Sequence, residues 1–278
     1  MRIFTWCDPN YFHFMNALIR SIRYHGNENH ITALLMDFNP EQKDKVKDIF
    51  KNDSKMQFIW DNGQSFHNIS IKDHREYYRN CRPRYFIDQL QDSPTGKLCT
   101  FGANGIVWTD LKFIENILDK KDFVFLERQK PNRFSNHPEK IGSMEELHEF
   151  MSDTGLTFPE IFPTSTSKIV LLGTHAMRRN EYSLAVLNKW KDLVENPKDL
   201  NAEYSDMNLF VQAYIETQDK IGWKLKKETG LGTPRAENPF CDTNFNTDKI
   251  WFAKGPSKFH NKKYLKAVEF FSNYEYSI

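Results

Sequence analysis

From Arg2 to Asp61 the sequence alternates short apolar runs with amphipathic ones, and this alternation leaves few folds open. Arg2 to Cys7 reads as a strand closed by Asp8-Pro9-Asn10. Tyr11 to Tyr24 then places Phe14, Leu18 and Ile22, with Ala17, on one helical face, and Gly26 stops it. Ile31 to Met36 is a second strand, ending at Asp37. Pro40 opens a lysine-rich helix whose inner face is Val46, Ile49 and Phe50, and Met56 to Trp60 is a third strand, ending at Asp61. Strands joined by helices of this length connect through right-handed crossovers, so the sheet is parallel. The expected class is α/β, a nucleotide-binding half-domain pattern with Asp8, Asp37 and Asp61 all at strand ends.

A second constraint is Leu98 to Leu111, LCTFGANGIVWTDL. Two short strands broken by Gly102-Ala103-Asn104-Gly105 put Ala103 and Asn104 at the mouth of the sheet. Open α/β sheets bind their ligands there, beyond the carboxyl ends of the strands. Further on, the pattern predicts a helix over 111–118, a strand over 123–127 and a polar, proline-containing loop over 129–142. A loop that long inside a compact domain reads as an acceptor-side loop or lid. A buried strand over 167–177 breaks at Gly173-Thr174-His175, and a helix over 181–194 contains Trp190. Asp206 stands where the next helix opens and suits an N-cap or first-turn charge. The last amphipathic helix, 261–271, carries Tyr264, Leu265, Val268 and Phe271 on one side; packing on the domain is the expected use, with membrane-surface or polyanion binding the other.

Composition narrows the class without naming a partner. Of 278 residues, 39% are hydrophobic and 27% charged, enough apolar side chains for a sizeable core, and the net charge is +1. From Lys220 to Ile278 there are 11 Lys or Arg against 6 Asp or Glu, so this tail is +5 and the remainder −4, a hint of an anionic ligand near it. Cys7, Cys81, Cys99 and Cys241 form no C-x-x-C pair and read as buried, reduced thiols. No apolar run is long enough to span a bilayer, and MRIFTWCDPN has no signal-peptide pattern, which favours a cytoplasmic protein.

The motifs, taken in order, resemble family 8 glycosyltransferases and their relatives of the GT-A fold. TWCDPNYFHFMNALIRSI is similar to that family's first strand and helix, which implies that Asp8 and Asn10 hydrogen-bond a uracil ring and that Tyr11 packs beside it. An acceptor plus an amide can read the edge of a pyrimidine; Asp8 and Asn10 could equally cap the following helix. GANGIVWTDL resembles the segment in which strand-Asp-x-Asp-strand holds a divalent metal, but Gly102 and Asn104 stand for the two carboxylates. Arg82 or Arg84 sits where the family offers a basic residue to the donor phosphates. Asp206 matches one carboxylate of a helix-opening Asp-Gln-Asp beside the sugar's reactive carbon, while Met207 and Asn208 depart from that pattern. IWFAKGPSK resembles His-x-x-Gly-x-x-Lys, with Gly255 and Lys258 in place and Phe252 where the metal-binding His belongs.

The resemblance implies one GT-A domain, a mostly parallel sheet flanked by helices, with residues 1–111 binding the nucleotide-sugar (a UDP-sugar is expected) and 112–278 the acceptor. Asp206 and Lys258 are the expected catalytic residues. Asp8, Asn10, Tyr11, Arg82, Arg84, Ala103, Asn104, Lys254 and Gly255 are expected to bind the donor. With all three metal positions altered, no metal is expected to be required unless Asp110 or Asp242 has taken over that role. Lys254, Lys258 or an arginine would then meet the diphosphate. HREYYRNCRPRYFIDQL, with Arg75, Arg79, Arg82 and Arg84 among Tyr77, Tyr78 and Tyr85, favours duplex DNA bearing hydroxymethylated cytosine, as in some phages, as acceptor. A saccharide acceptor and a non-catalytic binding module are the alternatives.

Overall fold

The computed structural model describes residues 1–63, 74–125, 174–195, 209, 210, 213, 217, 250–253 and 257–278. Its strands are β1 (Arg2–Cys7), β2 (His30–Met36), β3 (Met56–Asp61), β4 (Lys97–Gly102), β5 (Gly105–Val107), β6 (Phe123–Phe125), β7 (Thr174–Arg178) and β8 (Ile250–Phe252). The helices are α1 (Phe12–Tyr24), α2 (Pro40–Ile49), α3 (His74–Gln91), α4 (Lys112–Leu118), α5 (Glu181–Glu195), α6 (Ser257–His260) and α7 (Lys262–Ser272).

Six strands form one sheet in the order β3-β2-β1-β4-β7-β6. The first four run parallel, as the crossover argument requires, and β7 pairs antiparallel with both β4 and β6. Ile31 to Met36 is buried on both faces, which is why it reads as a continuous apolar run rather than an alternating one. One face, with Phe4, Leu34, Leu98 and Met177, packs against α3 and α5 through Tyr85, Phe86, Leu187 and Trp190. The other, with Ile3, Ile31, Leu35, Cys99 and Phe101, packs against α1, α2 and α4.

Helix α1 buries an unusually wide stripe because it has two neighbours. Met15, Leu18, Ile19 and Ile22 face the main sheet, while Phe14 and Ala17 face a second, two-stranded sheet of β5 and β8, covered by α7. Gly26 follows with φ 71°, a left-handed conformation that costs glycine little. Helix α2 opens with a capping box in which Asn39 and Gln42 exchange 2.9 Å bonds.

Three expectations shift. Val46 and Phe50 are buried but Ile49 is exposed, since a short helix against one sheet edge hides a narrower stripe than predicted. On α7 the inward residues are Tyr264, Ala267, Val268 and Phe271, and Leu265 points out, one position off the i, i+3, i+4, i+7 row. Thr174 to Arg178 is continuous strand where a break was expected, because each residue from Thr174 pairs with β4. Residues 126–173, with the predicted acceptor-side loop, lie outside the described residues. Cys7, Cys81 and Cys99 are buried thiols outside any disulfide, as expected, and burial pushes Cys7 and Cys99 up into the unreactive range. Among the described residues no helix is long and apolar enough to cross a membrane.

Candidate functional site

Where β1 ends, Asp8 turns the chain out of the sheet. Its Oδ1 accepts from the backbone N–H of Asn10 at 2.8 Å and of Tyr11 at 3.1 Å, capping the 3-10 turn Pro9–Tyr11 that leads into α1. The capping role read from the sequence is therefore present. It occupies one oxygen; an ionised carboxylate has a second, with lone pairs of its own. Asn10 is exposed beside it and Tyr11 is half-buried.

The neighbouring strand β4 ends at the same level, with Gly102 opposite Trp6 in the parallel register. The turn Ala103–Asn104 follows, and the chain leaves the main sheet as β5. The Asn104 side-chain amide donates to the Ala253 carbonyl, and its own backbone carbonyl accepts from the Tyr264 hydroxyl at 3.0 Å. Burial pushes the Tyr264 phenol up, so it stays a neutral donor throughout the physiological range. Asn104 thus ties the start of β5 to β8 and α7, and Phe252 stands on β8 directly opposite Gly105.

Lys258, on α6, arrives at the same place from the far end of the chain. Its Nζ donates to the Tyr11 hydroxyl and lies 4.3 Å from the Tyr11 ring centroid. No carboxylate pairs with Lys258 among the described residues. Arg82 reaches the rim from the opposite face of the sheet, with its guanidinium 5.6 Å from the Trp6 ring centroid. Asp8, Asn10, Tyr11, Arg82, Ala103, Asn104 and Lys258 therefore gather at the carboxyl ends of β1 and β4. Arg84 does not join them: its Nε is 2.6 Å from Glu195 on α5, because two residues along α3 turn the side chain toward another helix. Asp206, Lys254 and Gly255 lie outside the described residues, as does Asp242.

Tyr78 and Tyr85 of α3 do not form a stacking platform. Tyr78 and Tyr85, two turns apart on one face, are 9% and 6% exposed, and both point at Asp61. The Tyr85 hydroxyl donates to Asp61 Oδ2 at 2.6 Å, Gly63 N–H donates to Oδ1 at 2.8 Å, and the Tyr78 hydroxyl donates to the Asp61 carbonyl at 3.4 Å. Sequence reading placed Asp61 at a strand end but missed this cluster; the seven-residue spacing of the tyrosines was the available signal. It also missed Trp6 and Tyr264. Trp6 sits two residues before Asp8 and so shares its rim, a placement visible in the strand pattern. Tyr264 has no local signal, since its partner Asn104 is 160 residues away.

No protein-family model matches the sequence, and no curated protein matches it. Solved structures do. The apo bifunctional glycosyltransferase WbbM superposes with a TM-score of 0.59 at 13% identity, covering 98% of this chain and 50% of that one. The galactosyltransferase LgtC, in complex with donor and acceptor sugar analogs, gives 0.58 at 12% identity and covers 99% of this chain and 98% of that one. The glycosyltransferase GlyE of Streptococcus pneumoniae TIGR4 gives 0.55 at 12% identity, with 99% and 60% covered. The fold is GT-A. The chain spans half of WbbM and under two thirds of GlyE, but nearly the whole of LgtC. Its rim residues occupy the end of the sheet at which GT-A folds, like other open α/β folds, hold ligands.

Proposed function

We propose that this chain transfers a glycosyl group from a nucleoside-diphosphate sugar, with uridine as the expected base, to a hydroxyl of a saccharide acceptor. The observation that carries the reading is the Lys258 ammonium, without a carboxylate partner among the described residues, held beside the Asp8–Tyr11 turn. A cation kept at that rim suits an anionic diphosphate, while Asp8 Oδ2 and the exposed Asn10 amide suit the polar edge of a base. In the reaction the bond from the anomeric carbon to the diphosphate oxygen breaks, a bond to the acceptor oxygen forms, and the acceptor proton leaves to a base. Asp206 is the residue proposed either as that base or, with retention at the anomeric carbon, as the stabiliser of positive charge on the sugar ring.

The saccharide is preferred to DNA for a reason visible on α3. Arg82 lies against Trp6 and Arg84 pairs with Glu195, so neither presents itself as a phosphate grip, and Tyr78 and Tyr85 are buried. LgtC, which this chain covers end to end, was crystallised with an acceptor sugar analog. The test is a panel of UDP-, GDP- and dTDP-sugars assayed for nucleoside-diphosphate release with oligosaccharides, plain duplex and hydroxymethylcytosine duplex as acceptors. Release is expected with a UDP-sugar and an oligosaccharide. Release only with hydroxymethylcytosine duplex, falling steeply with salt, would reinstate DNA. Tight donor binding without transfer to any acceptor would instead mark a binding module.

A further inference from the structure

The GT-A resemblance implies a divalent cation between two carboxylates and a histidine, set against the donor diphosphate. The side chains at those places do not fit one. Gly102 has no side chain. Asn104 turns its amide N–H group to the Ala253 carbonyl, which braces β5 against β8 and leaves only a neutral amide oxygen in place of a carboxylate. A phenylalanine, Phe252, occupies the β8 position across from Gly105. Asp110, the carboxylate nearest in sequence, cannot replace them. Val107 N–H donates to Ser21 and Leu111 N–H to Asn27, so β5 runs along α1 and delivers Asp110 to that helix's far end. With 13 residues in α1, that end lies about 20 Å from the Asp8 turn. Asp110 there accepts from Lys112 N–H at 2.8 Å, at the start of α4. Among the described residues no three His, Cys, Asp or Glu side chains come together as a metal site. A hard divalent cation takes oxygen ligands, mainly carboxylates; a glycine and a phenylalanine supply no ligand side chain, and Asn104 supplies at most a neutral amide oxygen, a poor substitute for a carboxylate.

A departing diphosphate still needs positive charge. We propose, resting on the transferase reading above, that this chain binds its nucleoside diphosphate without a divalent metal, and that the Lys258 ammonium, positioned by Tyr11, supplies the charge that the metal supplies elsewhere. Two features fit Lys258 for this. The Tyr11 ring lies 4.3 Å beneath Nζ and its hydroxyl accepts from Nζ, which fixes an otherwise flexible side chain without cancelling its charge. A buried carboxylate partner would have cancelled it. The ammonium also stands where β1 delivers the Asp8 turn, so one short segment, Asp8 to Tyr11, would address base and diphosphate together.

The experiment is calorimetric titration of UDP, with GDP, ADP, CDP and dTDP as comparison, into the full chain in excess EDTA, and again with Mn²⁺ or Mg²⁺ added. UDP is expected to bind in EDTA with an affinity that added metal leaves within about threefold. Lys258→Ala is expected to weaken that binding roughly ten- to hundredfold, the effect of losing a charge-assisted hydrogen bond. Its thermal unfolding should match the parent chain, showing that the loss is not one of folding. UDP-sugar turnover in EDTA serves as a second readout. Binding seen only with Mn²⁺ or Mg²⁺ would overturn this inference and leave the transferase reading standing. Lys258→Ala binding like the parent in EDTA would overturn the role given to the lysine. If no nucleoside diphosphate bound in any arm, both readings would fall.

Discussion

The two ends of helix α1 each receive a basic side chain, and they treat it in opposite ways. At the carboxyl end, Arg23 has no exposed side-chain surface and grips Asp53 through Nε at 2.8 Å and Nη2 at 3.2 Å. Its Nη1 donates to the carbonyls of Asn27 and Asn29, and the Tyr276 hydroxyl closes over Asp53 Oδ2 at 2.9 Å. Around it Asn27, 3% exposed, bonds Ile22, Thr109 and Leu111. At the amino end, Lys258 is half-exposed and rests on a phenol. One cation is fully neutralised and belongs to the scaffold. The other keeps its charge at a rim where a ligand can use it. The difference teaches that charge alone does not mark a site; the state of its partner does.

The largest test of that contrast is to remove one partner at each end. Asp53→Ala leaves the Arg23 guanidinium buried without a counterion, and breaking a buried pair this way costs about 3–5 kcal/mol. Urea unfolding of Asp53→Ala should therefore show a midpoint shifted far down. Lys258→Ala, which removes a half-exposed group without stranding a charge, should stay within about 0.5 kcal/mol of the parent. If the two variants lost similar stability, Lys258 would be a structural residue like Arg23 and the contrast would fail.

Asn104 lies between these extremes, at the rim with its amide N–H group committed to the Ala253 carbonyl. Asn104→Asp replaces the amide donor with a carboxylate facing the Ala253 carbonyl, so the acceptor loses its bond and gains a like-signed neighbour. A loss of about 2 kcal/mol is expected from the same unfolding measurement, without any stabilisation by added Mn²⁺. A variant that Mn²⁺ stabilised would mean that one carboxylate suffices to recreate a metal site. Smaller again is Tyr276→Phe, which takes a single donor from Asp53 while three bonds from Arg23 and Lys55 to that carboxylate remain in place. About 1 kcal/mol is expected there, since the charge keeps its main partner.

How much of this the sequence discloses depends on how far apart the partners are. The parallel half was readable because β1 to β3 and their helices are contiguous, and each carries its own period and cap. Asp8 was readable for the same reason: its cap partners are two and three residues on. The rim as an assembled object was only half readable. Pattern placed Asp8 and Asn104 at strand ends, but nothing local tells that Tyr264 holds Asn104 or that Lys258 leans on Tyr11, because those contacts close loops of 160 and 247 residues. The arginine-tyrosine helix misled for a related reason. Composition shows what α3 could touch, whereas its face against the sheet decides that Tyr78 and Tyr85 go inward to Asp61 and Arg84 outward to Glu195.

The smallest expected effect concerns a histidine near each end of the same helix. His25, the C-cap residue of α1, packs its ring edge-on to Tyr24 at 5.1 Å and lies 6.5 Å from Trp108. Burial lowers its pKa from the ordinary 6.5, although a helix carboxyl end by itself favours the protonated ring. Desolvation wins because the neighbours are aromatic and Nε2 meets no polar partner among the described residues. With the folded value depressed, the unfolded chain takes up the proton first as pH falls. The stability linked to His25 is therefore complete above about pH 6.5 and is lost as pH drops through the lower folded value. His13, at the amino end, is lowered as well, again mainly by burial, but a hydrogen bond with the Asn10 backbone opposes the shift and the residue is more exposed. His25→Phe keeps the aromatic contacts and removes the proton, so the decline in unfolding midpoint between about pH 6.5 and 5 should flatten. His13→Gln should change that slope less. An unchanged slope in His25→Phe would show that the carboxyl end of α1 is wetter than its packing implies, and the closed character assigned to it would have to rest on Arg23 and Asp53 alone.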